Sequence, residues 1–191
     1  MSFLRSPFAS DQPPTLRDGH VMLRVPDMGD FERWANLRLA SREFLAPWEP
    51  VWPTNDLTRS AFRSRIRQYN RDIGDDSAYP YFIFDTRGDR LLGAITLSNI
   101  RRGVAQAGTL GYWIGAPHAR HGYMTAAVGL LARMAFQHLS LHRVEAACLQ
   151  HNQGSIALLQ RCGFEQEGLA RGYLKIAGEW RDHLLFAKLA S

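Results

Sequence analysis

Apolar and polar positions alternate from His20 to Val25. Val21, Leu23 and Val25 recur with the period of two that marks a half-buried strand. Pro26-Asp27 stops the strand, and Asp27 or Asp30 is placed to cap a helix whose period is taken up by Phe31, Trp34, Leu37 and Leu39. Pro47-Trp48-Glu49-Pro50 and Pro53 break that helix and predict a rigid loop. In the next segment, Leu57, Ala61, Phe62, Ile66, Tyr69 and Ile73 define one apolar helix face. The opposite face carries Arg59, Arg63, Arg67 and Arg71, four residues apart. Like charges at that spacing oppose a helix by about 0.2–0.5 kcal/mol per pair. The stripe reads either as a solvated face or as a patch for an acidic partner such as RNA.

Strands are predicted over Tyr81–Phe84, Leu91–Ile100 and Ala107–Ile114, joined by turns at Thr86-Arg87-Gly88-Asp89 and Arg101-Arg102-Gly103 as an antiparallel meander. Gly115–Gly122 reads as a loop and Tyr123–His138 as a helix burying Leu130, Leu131, Met134 and Phe136. A strand over Arg143–Leu149 follows, then a short helix over Ser155–Gln160 with Gly163 at its cap. Phe164–Leu174 and Trp180–Leu189 close the chain as strands around Ala177-Gly178. The helix between Ala107–Ile114 and Arg143–Leu149 acts as a crossover, so those two strands should run parallel. The order predicts an α+β domain with one mixed sheet over residues 18–191, after a flexible lead-in over 1–17.

Composition narrows this reading only a little. A length of 191 residues fits one domain, and 46% apolar with 21% charged residues excludes wholesale disorder. The net charge of +5 admits an anionic ligand without requiring nucleic acid. Cys148 and Cys162 make no disulfide framework, which points to a reducing, cytoplasmic compartment. No run approaches the roughly 20 apolar residues of a membrane span. Met1–Pro14 has no apolar core of signal-peptide length, so no membrane association is expected. Phosphate-loop, dinucleotide and nucleophile-elbow motifs are absent, and His118 and His121 have no second ligand pair, so no metal is expected.

Chemistry gathers at two places. Arg120-His121-Gly122 precedes the helix that opens with Tyr123, Met124 and Thr125, where free amides and the helix dipole favour a phosphate. Gly122 allows close backbone approach. Downstream, Asn152 and Ser155 stand three apart at a strand–helix junction, the spacing of a helix cap.

The two stretches together resemble the GNAT acetyltransferases, in particular the RimJ/RimL-like, ribosomal-protein-alanine N-acetyltransferase group. The matching segments are Phe44-Leu45-Ala46-Pro47-Trp48-Glu49-Pro50, Leu110-Gly111-Tyr112-Trp113-Ile114-Gly115, Ala119-Arg120-His121-Gly122-Tyr123-Met124-Thr125, Leu141-His142-Arg143-Val144-Glu145-Ala146, His151-Asn152-Gln153-Gly154-Ser155 and Tyr173-Leu174-Lys175-Ile176-Ala177-Gly178-Glu179-Trp180-Arg181-Asp182-His183. The chain departs from the family's loop pattern at Pro117, where Gln or Arg is usual, and at Arg120, where a glycine is usual.

The resemblance implies the GNAT-type acyl-CoA N-acyltransferase fold: a single mixed, mostly antiparallel sheet flanked by helices, with two central parallel strands splayed apart by a bulge. It implies acetyl-CoA as cosubstrate, with its pantetheine arm on the edge of Tyr112, Trp113 and Ile114. The pyrophosphate would rest on the amides of Arg120, His121, Gly122, Tyr123, Met124 and Thr125, and Asn152 would bind the arm. Ser155 would hydrogen-bond the leaving sulfur. Glu49 is the candidate base, with Trp48, Glu49 and Tyr173 on the substrate side. The expected reaction is transfer of acetyl to a primary amine, foremost a protein N-terminal α-amine of ribosomal-protein type, with possible ribosome association. A small amine as acceptor, or a non-catalytic CoA- and RNA-binding module, are the alternatives.

Overall fold

The computed structural model describes residues 13–87 and 90–190. Within them lie eight strands: β1 (Leu16–Asp18), β2 (Val21–Arg24), β3 (Tyr79–Asp85), β4 (Arg90–Arg101), β5 (Ala107–Ile114), β6 (Arg143–Leu149), β7 (Glu165–Ile176) and β8 (Glu179–Leu189). Five helices accompany them: α1 (Phe31–Ala40), α2 (Arg42–Leu45), α3 (Arg59–Gly74), α4 (Tyr123–Gln137) and α5 (Gln153–Arg161). The strands form one sheet in the order β1-β2-β3-β4-β5-β6-β8-β7, in which only β5 and β6 are parallel. The predicted α+β architecture, the meander and the crossover are therefore those observed.

Local chemistry explains where the elements begin. Asp27 accepts from the Gly29 amide and forms a capping box with Asp30 just ahead of α1. Thr58 caps α3 through the Ala61 amide, and Asn152 caps α5 through the Ser155 amide. Two boundaries differ from the sequence reading. Leu16 and Arg17, expected within the lead-in, join Asp18 in pairing with Val21–Leu23 as an edge strand. The rest of the lead-in up to residue 12, and Gly88-Asp89 of the predicted turn, lie outside the described residues. β3 begins at Tyr79, before Pro80. Pro80 pairs with Thr96 of β4, while β2 reaches only as far as Phe82, so the missing proline N–H breaks no ladder bond.

Both faces of the sheet are covered. Tyr79, Tyr81 and Ile83 of β3 point into the core under α4, with Val128, Leu131 and Met134. Phe82 and Phe84 point the other way, against Trp34 of α1 and Phe62 and Ile66 of α3. The alternation explains why every residue of β3 is buried.

Candidate active site

Near its middle the sheet comes apart. β5 and β6 are paired only from Ala107–Arg143 to Leu110–Ala146. Beyond that point β5 stays with β4 as far as Gly93–Ile114, while β6 stays with β8 as far as Leu149–His183. The backbone of Gly111–Ile114 therefore faces a wedge rather than a strand. The expected bulge in β5 is not there, because its register with β4 is unbroken from Thr109 to Ile114. The irregularities lie one strand away in β4: Ile83 pairs with Gly93 but Phe84 with Leu91, and Thr109 pairs with Ser98 but Ala107 with Arg101. Gly93 is needed at the first: a Cβ on it would lie 2.2 Å from the Trp113 carbonyl oxygen.

Beyond the Ile114 end of the wedge the chain runs through a loop into the start of α4. Gly122 precedes the helix at φ +80°, and no side chain caps it. The amides of Tyr123, Met124 and Thr125 are thus first-turn donors with no intrahelical acceptor. Arg120, where a glycine was the usual residue, is itself at φ +65°. The loop keeps a left-handed turn there, at the cost of strain on the order of 1–2 kcal/mol for a residue with a Cβ. The His121 ring stacks on Tyr123 at 5.8 Å between centroids.

A hydroxyl pair joins the two arms of the wedge. The Tyr112 hydroxyl of β5 lies 2.6 Å from Ser155 Oγ in the first turn of α5. Burial pushes the Tyr112 phenol well above its ordinary pKa, against the opposing pull of Ser155, so it remains a proton donor throughout the neutral range. Asn152 Oδ1 accepts from the Ser155 amide at 3.0 Å, which fixes the serine's turn. Cys148 of β6 lies in the same neighbourhood, and burial raises its thiol pKa despite Ser155 beside it.

On the opposite sheet face a cavity of about 300 Å³ is lined by Gly111, Tyr112 and Trp113 of β5. Its walls include Trp34 and Arg38 of α1, Arg65 and Tyr69 of α3, Thr96 of β4, and Glu49. The Glu49 carboxylate is held by both terminal nitrogens of Arg38, each at 2.8 Å, and by Trp52 Nε1 at 2.7 Å. The Arg38 guanidinium in turn lies 3.9 Å from the Trp52 ring centroid and 4.9 Å from that of Trp113.

A backbone wedge between parallel strands, an uncapped helix start after the strand that forms it, and a cavity lined by the same stretch of β5 come together here. Residues 20–165 match the family model for the acetyltransferase (GNAT) domain. The chain belongs to the GNAT acetyltransferase family. The acetyltransferase is 35% identical to the [ribosomal protein uS5]-alanine N-acetyltransferase of Escherichia coli over 90% of this chain and 89% of the relative. It is 34% identical to the probable N-acetyltransferase YjcK of Bacillus subtilis, over 91% and 96% of the two chains. Its fold superposes on Mycobacterium smegmatis RimJ, solved in complex with CoA-disulfide, with a TM-score of 0.86 at 31% identity, covering 93% of this chain and 86% of that one. It is therefore an N-acetyltransferase of the ribosomal-protein acetyltransferase type.

Of the residues expected to serve this acetyltransferase, Tyr112, Trp113 and Ile114 stand on the wedge and Gly122–Thr125 at the start of α4. Glu49 lines the cavity. Trp48 instead faces His151, with ring centroids 5.4 Å apart, and so ties the loop after α2 to the loop before α5. Tyr173 packs edge-on against His183 on the β7–β8 hairpin, whose turn is anchored by the Ala177 amide donating to the Glu49 carbonyl. Glu145 is paired with Arg101 and Arg143. Its burial opposes ionisation, but the two guanidinium groups outweigh that and hold its pKa below the usual range. Among the described residues, no group of three or more His, Cys, Asp or Glu is placed to hold a metal, and no helix is long and apolar enough to cross a membrane.

Sequence reasoning missed Arg38, and the signal was available. Arg38 follows Trp34 by four residues, so it falls on the buried face of α1, where an unpaired cation would be too costly. It also gave Tyr112 only a backbone role. The strand's alternation already placed the Tyr112 side chain with Leu110 and Ile114, toward α4 and α5.

Proposed function

We propose that the chain transfers acetyl from acetyl-CoA to the N-terminal α-amine of a protein of the ribosomal type. The observation that carries this reading is the wedge at Gly111–Ile114, whose residues Gly111, Tyr112 and Trp113 also line a cavity on the other sheet face. The pantetheine arm adds to β5 as an extra strand would, and the pyrophosphate takes the first-turn amides of α4. The free amide group of Asn152 donates to the arm. RimJ of Mycobacterium smegmatis, alike in fold and 31% identical, was solved with CoA-disulfide, which supports this ligand.

The acceptor enters from the cavity, so nucleophile and thioester meet in an oriented pair. An α-amine has a pKa of about 7.7–8.0, so a useful fraction is already neutral and a strong base is not required. Glu49 accepts three hydrogen bonds already, which leaves about one lone pair to orient the acceptor amine. The amine nitrogen forms its bond to the acetyl carbon and the carbon–sulfur bond breaks. The departing sulfur receives a proton from the Tyr112–Ser155 hydroxyl pair, the amine's surplus proton leaves to water through the cavity, and one proton taken back from solvent restores the pair. Arg38 and Arg65 outnumber Glu49 among the charged lining residues, which argues against a polycationic small amine as acceptor.

The test is mass spectrometry of acetyl transfer to peptides that begin with Ala or Ser, against the same peptides blocked at the N-terminus and against a panel of small amines. Transfer confined to free α-amines is expected, with Tyr112→Phe slowing kcat at least tenfold and leaving CoA affinity within about twofold. CoA binding without transfer to any α-amine would overturn the reading.

A further inference from the structure

We infer that the outer face of α3 is a docking surface for the phosphate backbone of RNA, beside the acceptor cavity. The protein carries a net charge of +5, and α3 holds Arg59, Arg63, Arg65, Arg67 and Arg71 against Asp72 as its lone acid. Most of the chain's surplus charge therefore sits on one helix. Several arginines elsewhere are paired with acids. Arg24, Arg38, Arg90, Arg102 and Arg143 each meet a carboxylate at 2.5–2.9 Å, as does Arg65 on the inner side of α3. The outer stripe is treated differently. Among the described residues, Arg63 and Arg67 meet no carboxylate, Arg71 reaches only the Gln68 side chain, and Arg59 has Glu32 at 3.7 Å with both groups exposed. Such a stripe works against its own helix, and among the described residues Arg63 and Arg67 at its middle have no carboxylate to offset it.

The chemistry of the face selects the partner. Arg59, Ser60, Arg63, Ser64, Arg67 and Gln68 are all exposed, and no apolar side chain stands among them. A protein partner would need a desolvated apolar or aromatic anchor at the centre of the contact. A phosphate backbone needs only planar guanidinium donors and a repeating positive charge. Four-residue steps set the arginines about 6 Å apart, along about 18 Å of helix. The inner face of the same helix supplies Arg65 and Tyr69 to the cavity, so a docked RNA lies about one helix diameter, 10–12 Å, from the acceptor. The choice of RNA over DNA rests on the proposed ribosomal-type acceptor, which is presented among RNA.

The experiment is fluorescence anisotropy of a labelled 20-nucleotide RNA hairpin with the full chain, without acetyl-CoA, as KCl is raised. The wild type should bind with a log–log salt slope of about −3, as for three to four neutralised phosphates. Arg63→Glu with Arg67→Glu should weaken binding more than tenfold and flatten the slope by about 2. Arg63→Gln with Arg67→Gln should fall between, and acetyl transfer to a free peptide should stay within twofold in both. No binding by the wild type, or equal binding by the charge-reversed variant, overturns the inference. So does tighter binding of a duplex DNA of equal length or of a polyglutamate of equal charge. Peptide acetylation is read separately, so failure of one reading leaves the other standing.

Discussion

Arg38→Met removes one partner of a buried ion pair and leaves its carboxylate behind. Arg38 and Glu49 side chains are 9% and 19% exposed. Stranding one charge of such a pair costs about 3–5 kcal/mol. Glu49 keeps the Trp52 bond and some water, so the lower end applies, about 3 kcal/mol. For a chain of this size each kcal/mol moves Tm by about 2–4 °C, which gives a fall of about 6–12 °C. Glu49→Gln alone should cost less, since a neutral amide still accepts from Trp52. In the double variant, Arg38→Met no longer strands a charge, so a cycle of urea melts should return a coupling of about 2 kcal/mol. KM for the acceptor should rise in both single variants while CoA affinity holds. A coupling below about 0.5 kcal/mol would refute the reasoning, because it would mean that the carboxylate does not depend on the guanidinium held between the two indoles.

Three further outcomes follow from the geometry. Gly93→Ala drives a Cβ into the Trp113 carbonyl oxygen, so melts should show a loss of about 1–3 kcal/mol, and CoA affinity should fall as β5 is displaced. Arg90, and after it the Arg87 amide, hold the Asp85 carboxyl below its usual pKa, so as pH falls the unfolded chain takes up this proton first. The Tm gap between wild type and Asp85→Asn should therefore be full above the usual carboxylate range, begin to shrink as pH enters it and close only below it, where the folded carboxyl is protonated; a gap constant with pH would contradict this. Burial raises both the Cys148 and Cys162 thiols, so iodoacetamide at neutral pH should label neither in the native protein and both after unfolding, as read by intact mass.

The fold was legible because its signals are local. The period of two in Val21, Leu23 and Val25, the caps at Asp27 and Gly163, and the crossover between Ala107–Ile114 and Arg143–Leu149 are written in adjacent residues. The start of β3 was hidden by Pro80, whose harmlessness depends on where another strand ends. The uncapped start of α4 was legible for the same reason, since helix-start amides follow from sequence order. Arg38 holding Glu49, and Tyr112 meeting Ser155 across 43 positions, depend on which elements fold back on each other. The bulge was placed on β5 by resemblance, whereas in this chain the irregularities fall on β4, one of them beside Gly93.

The parallel seam has a consequence for the molecule as a whole. Five strands on one side and three on the other are joined in the sheet by four rungs, Ala107–Arg143 to Leu110–Ala146. A ligand lodged beyond the last rung acts as a keystone between two plates. Under the proposed reading its binding energy adds to folding energy by mass action, about 2.7 kcal/mol at a hundredfold excess over Kd. The folded share of this enzyme would then follow the supply of its acyl donor, so that a starved cell would lose the catalyst along with the substrate.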